Sequence, residues 1–371
     1  MHFFAAMAYS LESSKELESS ISLQEITKEP VASIPNRYLC IDEEPSLLSE
    51  ASLAPAIPTI DSKALVMEQT RGSELEKLHL TCKEWGIFQL VNHEVSSSIM
   101  EKLKYEIEKF YRLPLEEKMR YKVRPGDFEG YGQTAILHSQ DQKGFDWADR
   151  FYMITNPLQR RKPHLLPQLP PSLRETLEVY LSELQKLAKV LLWSIADTLK
   201  IAREEVDKMF NDEDAMQSVR MTYYPPCPKP ELVMGFRPHS DATAITILHQ
   251  VNGVDGFQVK KDGVWIPVHF LPNAFVVNLG DILEISSNGL YKSIEHSATV
   301  NSSIERISIA MFFNPKFEAE VGPAASLVNQ DNPPAFKTVK MEKLVKDYFS
   351  RKQDGKSFLE HLRISKGKRP Q

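Results

Sequence analysis

The chain has 371 residues, a net charge of −5, 42% hydrophobic residues and 9% aromatic ones. That composition is enough for a packed core, and the mild negative charge excludes the basic footprint of a nucleic-acid binder. No apolar stretch approaches the roughly 18 residues that a membrane span requires. The three cysteines, Cys40, Cys82 and Cys227, are odd in number and scattered, so they build no disulfide framework. A cytoplasmic, monomeric protein acting on a small molecule is expected, with no nucleic-acid or membrane partner. The opening MHFFAAMAYS lacks a basic flank, so no secretory leader is expected either.

Residues 1–55 carry many Ser and Glu residues broken by Pro30, Pro35 and Pro45. They read as a largely disordered N-terminal tail with one short helix near Leu23 to Lys28. Ala56 to Asp61 reads as a short strand, Ser62 to Trp85 as a helix and Gly86 to Val91 as a buried strand. A helix from Ser97 to Leu113 stops at Pro114. Asp127 to Gly132 is a loop, Phe145 to Thr155 a strand, and Ser172 to Leu199 has the period of a long amphipathic helix.

From about residue 217 the chain breaks into short alternating or β-branched segments: 218–224, 242–250, 257–260, 265–268, 274–278, 291–300 and 304–314. Asp262-Gly263 between two of them is a hairpin signal. Met341 to Arg363 returns to helical spacing. No repeat or Gly/Ser-rich linker divides the chain. The expected architecture is therefore one integrated fold, mainly β with surrounding helices. A helical region over 56–215 lends strands to a barrel core over 216–318, and 319–371 adds a helical C-terminal segment.

His239 and Asp241 stand two apart in a segment read as extended, so both side chains point to one face. With His296 they make two imidazoles and one carboxylate, the facial set that holds non-haem Fe(II) with positions left open. An isolated HxD is more often a hydrogen-bonded strand histidine, but here Tyr223-Tyr224-Pro225-Pro226, the pair, His296 and Arg306/Ser308 line up within one β-rich region. Zinc is the weaker reading, because structural zinc favours cysteine and no cysteine pair exists. Arg306 and Ser308 repeat the i, i+2 spacing, and a guanidinium fork beside a hydroxyl suits a carboxylate.

These residues, with Trp85-Gly86-Ile87-Phe88-Gln89-Leu90-Val91-Asn92-His93, Glu129-Gly130-Tyr131-Gly132, Asp146-Trp147-Ala148-Asp149 and Asn278-Leu279-Gly280-Asp281, resemble plant Fe(II)- and 2-oxoglutarate-dependent dioxygenases. The flavour is that of the group holding codeine O-demethylases, norcoclaurine-synthase-like proteins and senescence-related dioxygenases. The resemblance spans about Ala56 to Arg363 and implies a double-stranded β-helix (jelly-roll) core. It implies that His239, Asp241 and His296 bind Fe(II), and that Arg306, Ser308 and Tyr224 hold the far carboxylate of 2-oxoglutarate. O₂ is the further co-substrate and ascorbate the reductant. The chain departs from the family at Thr222, where Asn is usual, and at Glu94, where Gly is usual; a turn needing positive φ there would strain Glu94.

The implied reaction turns 2-oxoglutarate into succinate and CO₂ and hydroxylates a carbon of a plant specialised metabolite such as an alkaloid or flavonoid. On an O-methyl carbon the product collapses to an alcohol and formaldehyde. Strand parity puts Ala310, Phe312 and Asn314 on the face of Arg306, and Arg220 and Thr222 on that of Tyr224. The resemblance adds Arg150 and Tyr152, so the expected substrate contacts are Arg150, Tyr152, Arg220, Phe312 and Asn314. Phe312 and Tyr152 are expected to sandwich a planar ring. The bland alternatives are ordinary barrel packing for the aromatics and pairing of the arginines with Asp146 or Asp149. Two competing functions remain: an iron oxidase whose Arg306/Ser308 bind the substrate's own carboxylate, and a non-oxidative condensing or ligand-binding barrel.

Overall fold

A computed structural model describes residues 22–28, 33–40, 56–133, 145–210, 213–349 and 356–364 of the chain. The strands of its two main sheets are β1 (Thr59–Asp61), β2 (Ile87–Val91), β3 (Gly130–Gly132), β4 (Asp149–Asn156), β5 (Met216–Tyr224), β6 (Phe236–His239), β7 (Ile245–Gln250), β8 (Phe257–Lys261), β9 (Val264–Pro267), β10 (Phe275–Leu279), β11 (Glu295–Ala298) and β12 (Arg306–Asn314). The helices are α1 (Leu23–Ile26), α2 (Glu68–Glu84), α3 (Ser97–Tyr111), α4 (Leu115–Met119), α5 (Pro171–Leu199), α6 (Arg203–Phe210), α7 (Asp281–Ser286), α8 (Met341–Phe349) and α9 (Ser357–Glu360).

Eight strands form one sheet in the order β1-β2-β10-β7-β12-β5-β4-β3, and four form a second in the order β6-β11-β8-β9. Together they make the jelly-roll core, and the region before residue 216 contributes β1 to β4 to it. The sequence of β12 shows why the core needs two covers. Ile307, Ile309, Met311 and Phe313 join the main hydrophobic cluster, while Arg306, Ser308, Ala310 and Phe312 face the space between the sheets.

The outer cover comes from α5. Leu173, Leu177, Leu184, Leu191 and Ile195 recur at helical spacing and are all buried, packed with α2 and α3. Each such side chain contributes about 1.5–3 kcal/mol on burial. Pro171 stands in its first turn, where the missing N–H has no intrahelical partner to lose. Asp262 and Gly263 link β8 to β9 with φ of 51° and 82°, the two-residue turn that Asp-Gly favours. Among the described residues no helix is long and apolar enough to cross a membrane.

Three expectations are refined. The short helix expected near Leu23 forms as α1, and the described parts of the N-terminal tail pack on the body: Leu23 and Tyr38 are fully buried. Asp149 accepts the N–H of Leu23 at 2.8 Å, that of Gln24 at 3.0 Å, and the Ser22 hydroxyl. Tyr38 packs edge-on against Trp147 at 5.1 Å between ring centroids. Single apolar anchors in a polar stretch carry no periodicity, so composition concealed them; the rest of 1–55 lies outside the described residues. Second, residues 62–67 form turns, and the helix begins at Glu68. Third, β6 ends at His239, so Asp241 follows the strand and does not share it.

Candidate active site

β6 and β11 are antiparallel neighbours, with His239 opposite His296. Each imidazole turns its Nδ1 to a backbone carbonyl two residues earlier, His239 to Arg237 at 2.8 Å and His296 to Ile294 at 3.1 Å. A carbonyl only accepts, so each Nδ1 carries the proton and each Nε2 is left as a free donor of electrons. Both point at Oδ1 of Asp241, at 3.5 Å and 3.7 Å. Although Asp241 lies past the strand end, its carboxylate still converges with the imidazoles. Its other oxygen, Oδ2, is fixed by the Thr246 hydroxyl at 2.6 Å and the Asn278 amide at 2.9 Å.

All three residues are buried, and their ligating atoms lie within 4.8 Å of one another. Burial and the neighbouring His239 lower the His296 imidazole to about 4, so it is neutral, the ligating form. Burial pushes Asp241 upward, but its polar neighbours, among them the Thr246 hydroxyl on Oδ2, hold the carboxyl well below its ordinary range. His239 Nε2 is buried with no hydrogen-bond partner. A cation at this point satisfies that nitrogen and separates the three donors, and two imidazoles with one carboxylate suit Fe(II).

Two cavities meet here, sharing His239, Asp241, Arg220 and Phe236. The smaller, about 30 Å³, contains His296, Arg306, Ser308 and Tyr224. Arg306 is 2% exposed, its Nε and Nη1 have no partner, and its guanidinium lies 4.9 Å from the Tyr224 ring centre. Burial lowers its pKa, opposed by Tyr224. Gly256 lies beside it: at φ +152° a Cβ there would come within 2.9 Å of the Thr299 carbonyl oxygen and 3.1 Å of Arg306 Cδ. A buried guanidinium with unmet donors has the chemistry to receive a carboxylate.

The larger cavity, about 130 Å³, is lined by Arg150, Tyr152, Arg220, Phe312 and Asn314, with Phe128, Phe236 and, from α8, Val345 and Tyr348. All five residues expected at the substrate meet there, because β4, β5 and β12 pair in register and the same parity faces inward. The expected sandwich does not form. Tyr152 and Phe312 lie 6.2 Å apart at 52°, while a ring clamped between parallel faces needs about 7 Å. They pack on each other and form one wall. Neither arginine pairs with Asp149, which is committed to residues 22–24.

Thr222 is buried opposite Ser308 on the paired strand. Glu94 has φ 59°, so the non-glycine residue does stand in the left-handed region. His93 contacts the Asn273 carbonyl at 2.8 Å, and His269 is exposed beside Asp255. The supporting residues Thr246 and Asn278 were not singled out as such from the sequence. For Asn278 the signal was a lone polar residue in an otherwise apolar strand, FVVNL; Thr246 shares its strand, ITILHQ, with two further polar residues and carried no such signal.

Residues 215–315 match the 2OG-Fe(II) oxygenase superfamily, and residues 57–172 match the family described as non-haem dioxygenase in morphine synthesis N-terminal. The chain is 48% identical over 348 residues to codeine O-demethylase of Papaver somniferum, covering 92% of this chain and 96% of that one. It is 46% identical over 345 residues to oxoglutarate-dependent flavonoid 7-O-demethylase 1 of Ocimum basilicum, covering 92% and 91%. Among solved structures it resembles JOX2 in complex with 2OG, Fe and JA, with a TM-score of 0.82, 33% identity, and coverage of 93% of this chain and 98% of that one.

Proposed function

The chain belongs to the 2OG-Fe(II) oxygenase superfamily, a dioxygenase dependent on Fe(II) and 2-oxoglutarate, and from that premise we propose that it hydroxylates or O-demethylates a small ring-bearing plant metabolite of alkaloid or flavonoid type. One observation carries the reading: two cavities of unequal size open onto one buried His-Asp-His set. Fe(II) at that set, when bound, supplies the O₂-dependent oxidation in which 2-oxoglutarate leaves as succinate and CO₂.

In this proposal His239, Asp241 and His296 hold the metal, and Thr246 and Asn278 keep the carboxylate oriented. Arg306, Ser308 and Tyr224 bind the far carboxylate of 2-oxoglutarate in the smaller cavity. That cavity suits a short diacid better than a ring system, which supports the co-substrate reading of Arg306 over the substrate-carboxylate one. Tyr152, Phe312 and Phe236 form the apolar boundary of the larger cavity, placing a C–H bond near the metal and keeping water away. The names of the two demethylase relatives support an O-methyl carbon as the point of attack. Cys40, Cys82 and Cys227 are all buried and form no disulfide, which supports a reducing, cytoplasmic setting.

The test supplies purified protein with Fe(II), ascorbate, 2-oxoglutarate and a panel of methoxylated alkaloids and flavonoids. Succinate and formaldehyde released together identify O-demethylation; succinate with an oxygen added to the substrate identifies hydroxylation. Turnover that proceeds equally without 2-oxoglutarate would refute the proposal.

A further inference from the structure

We propose that the larger cavity takes a substrate carrying a carboxylate, or an equally compact oxyanion, gripped by Arg150 and Arg220 beside the aromatic wall. This rests on the oxygenase reading above and narrows its substrate class.

Arg150 pairs with Thr222, and Tyr152 with Arg220, across β4 and β5. The two arginines are therefore diagonal neighbours on one face, within reach of each other's long side chains. Both line the larger cavity, and the Nε–H of each is buried without an acceptor. The nearby carboxylates are otherwise engaged. Asp149 serves the N-terminal segment, Glu129 takes the Ile154 N–H and Lys162, and Asp241 belongs to the metal set. Asp146 accepts the Arg237 N–H at 3.1 Å, and only its field reaches Arg150. Of the other cations bordering the cavity, Arg160 pairs with Glu318 at 3.3 Å and Lys346 is exposed.

Arg220 is held by ring faces, its Cζ standing 4.3 Å from the Phe236 centre and 5.2 Å from that of Phe312. Stacking uses the guanidinium face and leaves the in-plane N–H donors free. Two half-buried cations on one face repel: burial first, then Arg220, lowers Arg150 to about 10, still charged at neutral pH. A carboxylate between them neutralises the repulsion and fills the unmet donors in one step. An apolar substrate does neither.

The experiment uses holoprotein with Fe(II) and saturating 2-oxoglutarate under argon. It is titrated calorimetrically with a panel of ring-bearing acids, such as 4-methoxycinnamate, each paired with its methyl ester. At least one acid is expected to bind tenfold or more tightly than its ester. Arg150→Gln should reduce that acid to the affinity of the ester, with Arg150→Lys intermediate. The 2-oxoglutarate dissociation constant should not move, because Arg150 borders the larger cavity alone. A panel in which no acid outbinds its ester overturns the proposal, as does an Arg150→Gln variant that keeps the full preference. Succinate formation on uncharged substrates alone would leave the oxygenase reading standing and refute this one.

Discussion

Thr246 donates a 2.6 Å hydrogen bond to Oδ2 of Asp241, pinning one carboxylate oxygen while the other faces both imidazoles. Asn278 adds a second donor at 2.9 Å, so the carboxylate cannot rotate without losing a bond. Thr246→Val keeps the shape and removes the hydroxyl. Its Fe(II) affinity should fall about 10- to 100-fold, the usual cost of losing a supporting partner. His239→Ala, which removes a proposed ligand outright, should lose bound iron and succinate formation altogether. Fe(II) titration followed by circular dichroism separates both effects from misfolding; unchanged affinity in Thr246→Val would show that the pin has no role.

Arg306→Ala should raise the KM for 2-oxoglutarate. A hydrogen bond to a charged group is worth about 1.5–3 kcal/mol, or roughly 10- to 150-fold in affinity. Arg306→Lys should recover part of it, since the charge survives and the fork does not. Steady-state kinetics with varied 2-oxoglutarate checks this; reduced kcat at unchanged KM would contradict the assignment.

His249 gives the fold an acid-sensitive point away from the metal. Its ring lies among Tyr180 and Phe275, and its Nδ1 has no partner. Burial, His93 and Lys104 lower its pKa to about 4. The unfolded chain, at about 6.5, takes up a proton that the folded chain refuses. Stability from this group is therefore complete above pH 6.5 and falls as pH drops toward 4, by about 3 kcal/mol in all. His249→Phe should remove that loss. Urea denaturation at pH 7.5 and 4.5 reads it; parallel losses in both proteins would exclude His249 as the cause.

The C-terminal segment is wired to the centre of the molecule. Glu284 on α7 is fully buried and accepts Lys356 Nζ and Arg363 Nη2, each at 2.7 Å. On the same helix, Asp281 accepts the Ser240 hydroxyl at 3.1 Å and donates its N–H to the Asp241 carbonyl at 2.8 Å. Replacing both Lys356 and Arg363 by Ala strands a buried charge and should cost about 3 kcal/mol. Glu284→Gln in that background should recover part of the loss. A double-mutant cycle by chemical denaturation measures the coupling, and purely additive effects would exclude it.

The barrel strands and the cavity-lining residues were legible because both obey a period of two, whereas Asp241 joins the two histidines from beyond the end of β6. Once Arg306 and Ser308 shared a face, Phe312 and Asn314 had to follow, and the register of β5 and β4 brought in Arg220, Tyr152 and Arg150. Parity sets which face a side chain joins but not the tilt of its ring, so it could not decide between a sandwich and the packing of Tyr152 against Phe312. Nor could the contacts between distant segments. Thr246 can turn to a core or to a carboxylate with the same sequence around it. Glu284 finds Lys356 only after the chain has folded back, and no local pattern marks the pair. The short α7 interrupts a run that has neither strand nor helix period.

Ser22 and its partner Asp149 are 127 residues apart in the chain. At about 5–20 residues per second, a ribosome needs roughly 6 to 25 seconds to deliver the second after the first. During that interval Leu23 has no pocket, and its helix, a single turn, cannot persist alone. The cluster that encloses Leu23 also needs Ala298 and Val300, which follow later still, so sealing of this side of the barrel is a late step in biogenesis. A bulky tag fused close to Ser22 would interfere with maturation of the finished barrel more than with its early folding.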